Sequence, residues 1–124
     1  MKKSRKRIIV FCVIILIILG YSYNNFFSKN MLTGIYINVN YENSPAAEAS
    51  RNLDTLYIYA DNTFYSRYYG KGRYNLSYSL GGTEIDLNFQ NSGLNTSVSR
   101  VFFGKPKIGI FWDISHYYVK ISDQ

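Results

Sequence analysis

Apolar and polar side chains alternate every second residue in one short segment after another beyond Thr33, and this rhythm restricts the fold more than any other feature. In residues 73–80, for example, Tyr74, Leu76 and Tyr78 alternate with polar side chains. Successive side chains of an extended strand point to opposite faces, whereas a helix repeats every ~3.6 residues. These segments are therefore predicted to be β-strands that turn one face toward a core.

We expect eight strands, at residues 34–41, 53–60, 63–69, 73–80, 83–90, 97–103, 107–112 and 115–121. Turn-forming residues such as Asp61-Asn62, Gly70-Lys71-Gly72 and Gly81-Gly82 separate them, and most connections are too short for the crossover that parallel strands require. The predicted fold is all-β, an antiparallel up-and-down meander of about eight strands that forms a small barrel or a curved sheet. The longer connection, residues 42–52, is predicted to be either a short helix that begins at Ser44-Pro45 or a loop.

The N-terminal segment has a different character, because five basic residues lie among the first seven and residues 8–19 contain no polar side chain. This pattern predicts an export or anchoring signal. As a helix, residues 8–27 would measure about 30 Å, the thickness of the hydrocarbon core of a bilayer. Tyr21, Tyr23, Phe26 and Phe27 would lie at the outer interface, where membrane proteins concentrate aromatic residues.

The sequence thus divides into residues 1–29, a cytoplasmic basic end with a transmembrane signal-anchor helix, and residues 30–124, an extracytoplasmic β domain. The basic N-terminus predicts that this end stays in the cytoplasm of a single-pass protein. In a bacterial inner membrane, the domain would face the periplasm or the cell exterior. The alternative is a secreted domain that is released by signal cleavage near Ser22.

Charge and cysteine content exclude several function classes. The first seven residues hold five of the 14 basic side chains, which leaves 14 − 5 = 9 basic against 8 acidic residues in the rest of the chain. A nearly neutral domain with scattered basic residues offers no electrostatic argument for a nucleic-acid partner. Cys12 and His116 are the only residues of their types, so we expect no disulfide, metal site or cofactor.

A resemblance to a known family rests on the opening strand Gly34-Ile35-Tyr36 and on the segment Thr-Leu-Tyr-Ile-Tyr-Ala-Asp-Asn-Thr-Phe at residues 55–64. These residues resemble the small lipocalin-like β domains of bacterial secreted and membrane-anchored proteins. The chain has Tyr36 where lipocalins have tryptophan, and its Trp112 lies near the other end. The resemblance implies a small barrel or strongly curved sheet that can bind an apolar molecule.

The candidate binding residues are tyrosines on the strand faces opposite the apolar ones. In a closed meander the last strand pairs with the first, which would bring these tyrosines and one arginine together in a single outward patch. Aromatic residues with an embedded arginine are typical of protein interfaces, although tyrosine is also common on solvated strands. The predicted patch comprises Tyr36, Tyr57, Tyr59, Tyr65, Arg67, Tyr69 and Tyr118.

Two alternatives to a protein-binding patch follow from the same strands. A small apolar ligand could bind inside the barrel against Leu76, Ile85, Leu87 and Phe89, if they enclose a pocket of at least ~300 Å³. An enzyme is the weakest hypothesis. Ser115 and His116 are adjacent and would point to opposite faces, so we expect no catalytic residues and place His116 at the surface or at a strand end.

Overall fold

The computed structural model describes residues 2–43, 50, 52–90, 92–112 and 115–123. Within these residues the chain forms a long helix α1 (Lys2–Asn25), a short helix α2 (Lys29–Leu32), a 3-10 turn (Tyr41–Asn43) and eight strands. The strands are β1 (Gly34–Val39), β2 (Thr55–Ile58), β3 (Thr63–Ser66), β4 (Gly70–Ser79), β5 (Gly82–Phe89), β6 (Ser92–Ser99), β7 (Lys107–Phe111) and β8 (His116–Ser122).

Each strand pairs antiparallel with the next along the chain, and β8 pairs with β1, so the sheet closes into a barrel. The predicted all-β meander preceded by one helix is therefore confirmed. The hairpin of β4 and β5 extends furthest, from Gly72 opposite Phe89 to Ser79 opposite Gly82. Its tip projects beyond β3, whose pairing with β4 ends at Arg73.

Apolar side chains from all eight strands fill the barrel. The largest buried ones include Tyr36, Phe64, Tyr74 and Tyr118, each with almost no exposed surface. Removal of apolar surface from water is the main favourable term in folding. The full core cluster consists of Phe27, Leu32, Tyr36, Leu56, Ile58, Phe64, Tyr69, Tyr74, Ile85, Leu87, Val98, Ile108 and Tyr118.

Several predicted strand boundaries were wrong; β3, for example, ends at Ser66 and not at residue 69. β6 occupies Ser92–Ser99, because Ser92 pairs with Phe89 and Gly93 with Asn88 directly after a tight turn, and not residues 97–103. Gly70-Lys71-Gly72 is the beginning of β4 and not a corner, since Phe64 and Gly72 are register partners. Glycine is required at 72 for lack of space: a Cβ there would lie 2.6 Å from the Phe64 ring.

One end of the barrel is closed by the segment between α1 and β1. Phe27 and Leu32 are buried in the core, so the packed unit begins before the predicted boundary at residue 30, and Phe27 does not lie at a membrane interface as expected. The Tyr36 hydroxyl donates to the Leu32 carbonyl at 2.6 Å, and the Lys120 ammonium donates to the Met31 carbonyl at 2.9 Å.

α1 contributes no buried side chain within its own span, and its most apolar window has a mean hydropathy of 2.1. By length and composition, it is a helix that can cross a membrane. The predicted helix or loop at residues 42–52 falls mostly outside the described residues.

Replacement of Gly72 by alanine tests whether the closed barrel can adjust. The new Cβ would overlap the Asn88 carbonyl and the Phe64 ring, and strand pairing on both sides prevents the backbone from moving away. We expect Gly72→Ala to lower the free energy of unfolding by about 1–3 kcal/mol, as overpacking generally does. Denaturant unfolding of the full chain in detergent, followed by circular dichroism, measures the change.

The matched control is Gly81→Ala, since a Cβ at Gly81 meets only the Ser79 hydroxyl at 3.5 Å. We expect that variant to remain within about 0.5 kcal/mol of the wild type. Equal unfolding midpoints for both variants would contradict the tight contact at Gly72.

Candidate interaction surface

Three of the predicted tyrosines do face outward together. Tyr57 is half-buried, while Tyr59 and Tyr65 are 36% and 38% exposed. Tyr57 and Tyr65 are direct partners across β2 and β3, with ring centroids 6.2 Å apart, and Tyr57 also stacks against Tyr59 at 6.3 Å. Arg67 is exposed in the turn that follows β3. The three tyrosines form the part of the predicted patch that the structure brings together, whereas Arg67 borders a separate pocket with Asp54.

The other three predicted tyrosines point into the barrel, which corrects the single patch of six. Tyr36 and Tyr118 have no exposed surface, and Tyr69 is 5% exposed. Tyr69 lies beyond β3, in the turn before Gly70, where the chain folds back over the open end of the barrel. Burial raises the pKa of Tyr36 and of Tyr118 well above that of a free phenol, so both stay neutral.

The faces of β1 and β8 are the reverse of those expected, because the inner faces hold polar residues beside the tyrosines: Asn38 in β1, and His116 and Lys120 in β8. Side-chain alternation shows that a strand has two faces, but it identifies the inner one only when the other is polar. The phenol rings of Tyr36 and Tyr118 fill the barrel, and their hydroxyls find acceptors at its ends. A buried tyrosine is stable when its hydroxyl has a hydrogen-bond acceptor.

The aliphatic residues that were expected inside therefore lie outside. Ile37 pairs with Val119 across β1 and β8, Val39 pairs with Tyr117, and Ile35 pairs with Tyr57 across β1 and β2. These pairs join the tyrosines of β2 and β3 in one continuous surface. We call it the outer apolar face, and it comprises Ile35, Ile37, Val39, Tyr57, Tyr59, Tyr65, Tyr117 and Val119.

Trp112, which sequence reasoning did not connect with the tyrosines, extends the outer apolar face. Its ring stacks on Tyr117 with centroids 5.9 Å apart, and its indole N–H donates to the Ser97 hydroxyl at 2.8 Å. The indole lies directly over Gly109, where any side chain would displace it. The pairing of Gly109 with Tyr117 places Trp112 here, and the sequence of one strand does not show with which residues it pairs.

Basic side chains border the outer apolar face at both sides. Lys71 is the register partner of Tyr65, and Arg73 is the partner of Thr63 on the same side. On the opposite side, the Lys107 ammonium lies 4.7 Å from the centre of the Tyr117 ring, within the range of a cation–π contact. Between Tyr59, Tyr65 and Lys71 the surface forms a groove of about 460 Å³. The face is thus apolar at its centre and cationic at its margins.

The barrel interior lacks, beside Ile85 and Leu87, the enclosed space that the predicted ligand site requires. Ile85 and Leu87 have no exposed surface, so neither borders a space large enough for a water molecule. Leu76 and Phe89 pack against the same core. Phe89 also contributes, with Tyr69 and other residues, to an open groove of about 510 Å³ at the barrel end opposite α1. Any room for a ligand on this side is at the mouth of the barrel.

A buried carboxylate organises the interior near that mouth. Asp54 is 3% exposed, and it accepts hydrogen bonds from the Tyr118 hydroxyl at 2.7 Å and from the Tyr68 backbone N–H at 3.2 Å. The Asp54 N–H in turn donates to the Asn38 side-chain oxygen at 2.7 Å. Hydrogen bonds of this kind allow a polar group to be buried without a large desolvation penalty.

His116 lies at a strand end, one of its two expected positions, since β8 begins there, but it is buried and not at the surface. Ser115 is exposed and adjacent, so the two side chains lie on opposite sides of the barrel wall, as expected for neighbouring residues of a strand. Among the residues that the structure describes, no three His, Cys, Asp or Glu side chains are grouped in a way that could hold a metal ion.

Comparison with known proteins yields no match to this chain among family models, curated proteins or solved structures.

Removal of one hydroxyl tests the buried network. Tyr118→Phe deletes the bond to Asp54 and leaves the carboxylate short of a donor in a buried site. We expect a loss of about 1.5–3 kcal/mol of unfolding free energy, the range for hydrogen bonds to charged groups. Tyr117→Phe is the control, because the adjacent ring faces outward; a similar loss in both variants would contradict the assigned burial.

The burial of the single histidine predicts how the free energy of unfolding depends on pH. Burial lowers the pKa of His116 from its ordinary value of 6.5. Between the two values, the unfolded chain holds a proton that the folded barrel does not, so the free energy of unfolding falls as the pH drops below about 6.5. The slope can reach about 1.4 kcal/mol per pH unit for one proton.

Equilibrium unfolding at pH 7.5, 6.5 and 5.5 would measure this slope. His116→Gln should flatten the slope whatever it does to stability at pH 7.5. An unchanged slope in the variant would show that His116 is as accessible to protons in the folded chain as in the unfolded one.

Proposed function

We propose that the chain is a single-pass, membrane-tethered, non-enzymatic interaction module. In this proposal α1 anchors the protein with its basic end in the cytoplasm, and the barrel binds a partner protein on the other side through the outer apolar face.

Retention of α1, as opposed to cleavage near Ser22, is supported by how the helix meets the barrel. The Tyr21 hydroxyl donates to the Leu80 carbonyl at 2.5 Å, and the Arg100 backbone N–H donates to the Asn24 carbonyl at 3.0 Å. The Thr83 hydroxyl donates to the Asn25 carbonyl and accepts from the Phe27 N–H, both at 2.9 Å. Helix and barrel are thus joined without a flexible linker, and cleavage would remove part of the junction.

The outer apolar face is the observation that carries the binding role. Its centre combines aromatic and β-branched side chains, and its margins hold Lys71, Arg73 and Lys107. An apolar, aromatic centre with a charged border is the usual composition of a protein interface. Contiguous apolar area of this kind marks interaction sites more often than isolated exposed residues do. The basic margins favour a partner whose apolar surface is bordered by carboxylates.

A second candidate is a lipocalin-like role in binding a small apolar ligand. The filled interior argues for the mouth of the barrel as its place, since the groove of about 510 Å³ there is lined partly by Tyr69, Phe89 and Leu94. That volume lies within the range of small-molecule sites, although those are usually more enclosed.

Affinity capture of the tagged full chain from its native membrane, with bound proteins and lipids both identified, distinguishes these roles. The double variant Tyr57→Ser, Tyr59→Ser removes two rings from the centre of the face without touching the core. We expect this variant to lose at least ~90% of the captured partner, since central aromatic residues typically contribute 2 kcal/mol or more to binding. Raising the salt concentration should weaken capture if the basic margins contribute.

The matched control is Tyr68→Ser, because Tyr68 is 41% exposed and lies by the barrel mouth, away from the face. Undiminished capture by the Tyr57, Tyr59 variant would refute the proposed surface. Loss of a lipid with Tyr68→Ser, in place of loss of a protein with the double variant, would favour the second candidate.

A further inference from the structure

Four apolar side chains project into solvent beside the C-terminal part of α1. Leu80, at the tip of the β4–β5 hairpin, is 94% exposed. Val101, Phe102 and Phe103, in the loop between β6 and β7, are 69%, 54% and 100% exposed. We call these four residues the foot. Exposed side chains of this size are ordinary singly, but four together at one end of a small domain indicate a surface that is covered in use.

The foot is fixed against the helix. The Phe102 ring stacks on Tyr23, with centroids 5.8 Å apart and planes within 9° of parallel. It also lies against Gly20, where a Cβ would come within 2.8 Å of the ring. The Arg100 guanidinium lies 3.6 Å from the centre of the Tyr23 ring and donates a hydrogen bond to the Tyr23 carbonyl. The loop therefore holds a defined position beside the last turns of α1.

The length of α1 places that position at a membrane boundary. The wholly apolar run, residues 8–19, has 12 residues and measures about 18 Å as a helix, whereas a hydrocarbon core is about 30 Å thick. Continuing the segment through residues 20–27 brings the span to about 30 Å, yet Tyr21, Tyr23 and Asn24 already contact the barrel. A bilayer that surrounds α1 consequently reaches the hairpin tip and the β6–β7 loop.

The charges near the foot suit the same environment. Residues 99–107 contain Arg100, Lys105 and Lys107 and no acidic side chain, and the hairpin tip, residues 78–83, has no charged side chain at all. Apolar side chains with adjacent lysine and arginine are the composition of segments that bind at the interface of anionic bilayers.

We propose that the foot inserts into the leaflet of the bilayer that α1 spans, so that the barrel is seated on the membrane and not suspended above it. The inference rests on the membrane tether of the proposed function, but not on which side of the membrane the barrel faces or on the outer apolar face. Its occupant is the acyl and headgroup region of the lipid next to α1.

Single cysteines labelled with the fluorophore NBD test the proposal in the full chain, reconstituted into vesicles of phosphatidylcholine and phosphatidylglycerol. The native Cys12 is exposed on α1 and reports whether the helix lies in lipid. In a Cys12→Ala background, Phe103→Cys and Leu80→Cys report on the foot. Ser92→Cys, an exposed position at the opposite barrel end, is the matched control.

We expect the labels at positions 12, 80 and 103 to emit at shorter wavelength than NBD in water, and to be quenched by doxyl-labelled phosphatidylcholine. The label at position 92 should emit as in water and should not be quenched. Lipid quenching at 12 with water-like emission at 80 and 103 would overturn the seated foot and leave the tether intact. A water-like signal at 12 would refute the tether and this inference with it. Equal quenching at 92 and 103 would also overturn the proposal, since it would show that the whole barrel adsorbs to lipid.

Discussion

The pairing of β8 with β1 is the constraint on which the rest of the structure depends. Closure gives every strand two neighbours and removes the free edges that an open eight-stranded sheet would expose. It also forces the side chains of one face of each strand into a common interior. Tyr36 and Tyr118 enter that interior from β1 and β8. Because neighbouring residues of a strand point to opposite faces, Ile35, Ile37, Tyr117 and Val119 point outward. The surface of the protein is therefore a consequence of how its ends close.

The fold could be predicted from the sequence wherever one face of a strand is polar. In β4 and β5, residues such as Asn75 and Glu84 alternate with Tyr74 and Ile85, so the strands and most of their inner faces could be predicted. Tyr78, on the same side as Tyr74, is 55% exposed because the hairpin tip projects beyond β3. Turn chemistry was reliable at Asp61-Asn62, where Asn62 has a positive φ of 67° and the Asp61 carboxylate accepts from the Thr63 N–H. Local information was sufficient for this hairpin.

The site was only partly predictable, and the reason is physical. Alternation in β1 sets Ile35 and Ile37 against Tyr36 and Asn38, and hydrophobicity favours the isoleucines as the core. The barrel buries Tyr36 and Asn38 instead, because partners from distant parts of the chain satisfy their polar atoms: the Leu32 carbonyl and the backbone of Asn52 and Asp54. Those partners are tertiary contacts, which a single strand's pattern does not contain. The outward position of Tyr57 and Tyr65 needed no such partner and was predicted correctly.

The junction between α1 and the barrel links the two surfaces that the proposals use. Phe27 is part of the core, and Thr83 bonds to backbone on both sides of Phe26, so tilting of the helix would disturb barrel packing directly. A domain held in this way retains little rotational freedom relative to its anchor. In the proposed function, binding to a partner in the same membrane would therefore lose less orientational entropy than association in solution. A modest interface such as the outer apolar face would be sufficient under those proposed conditions, because tethering would supply part of the affinity that additional contact area would otherwise have to provide.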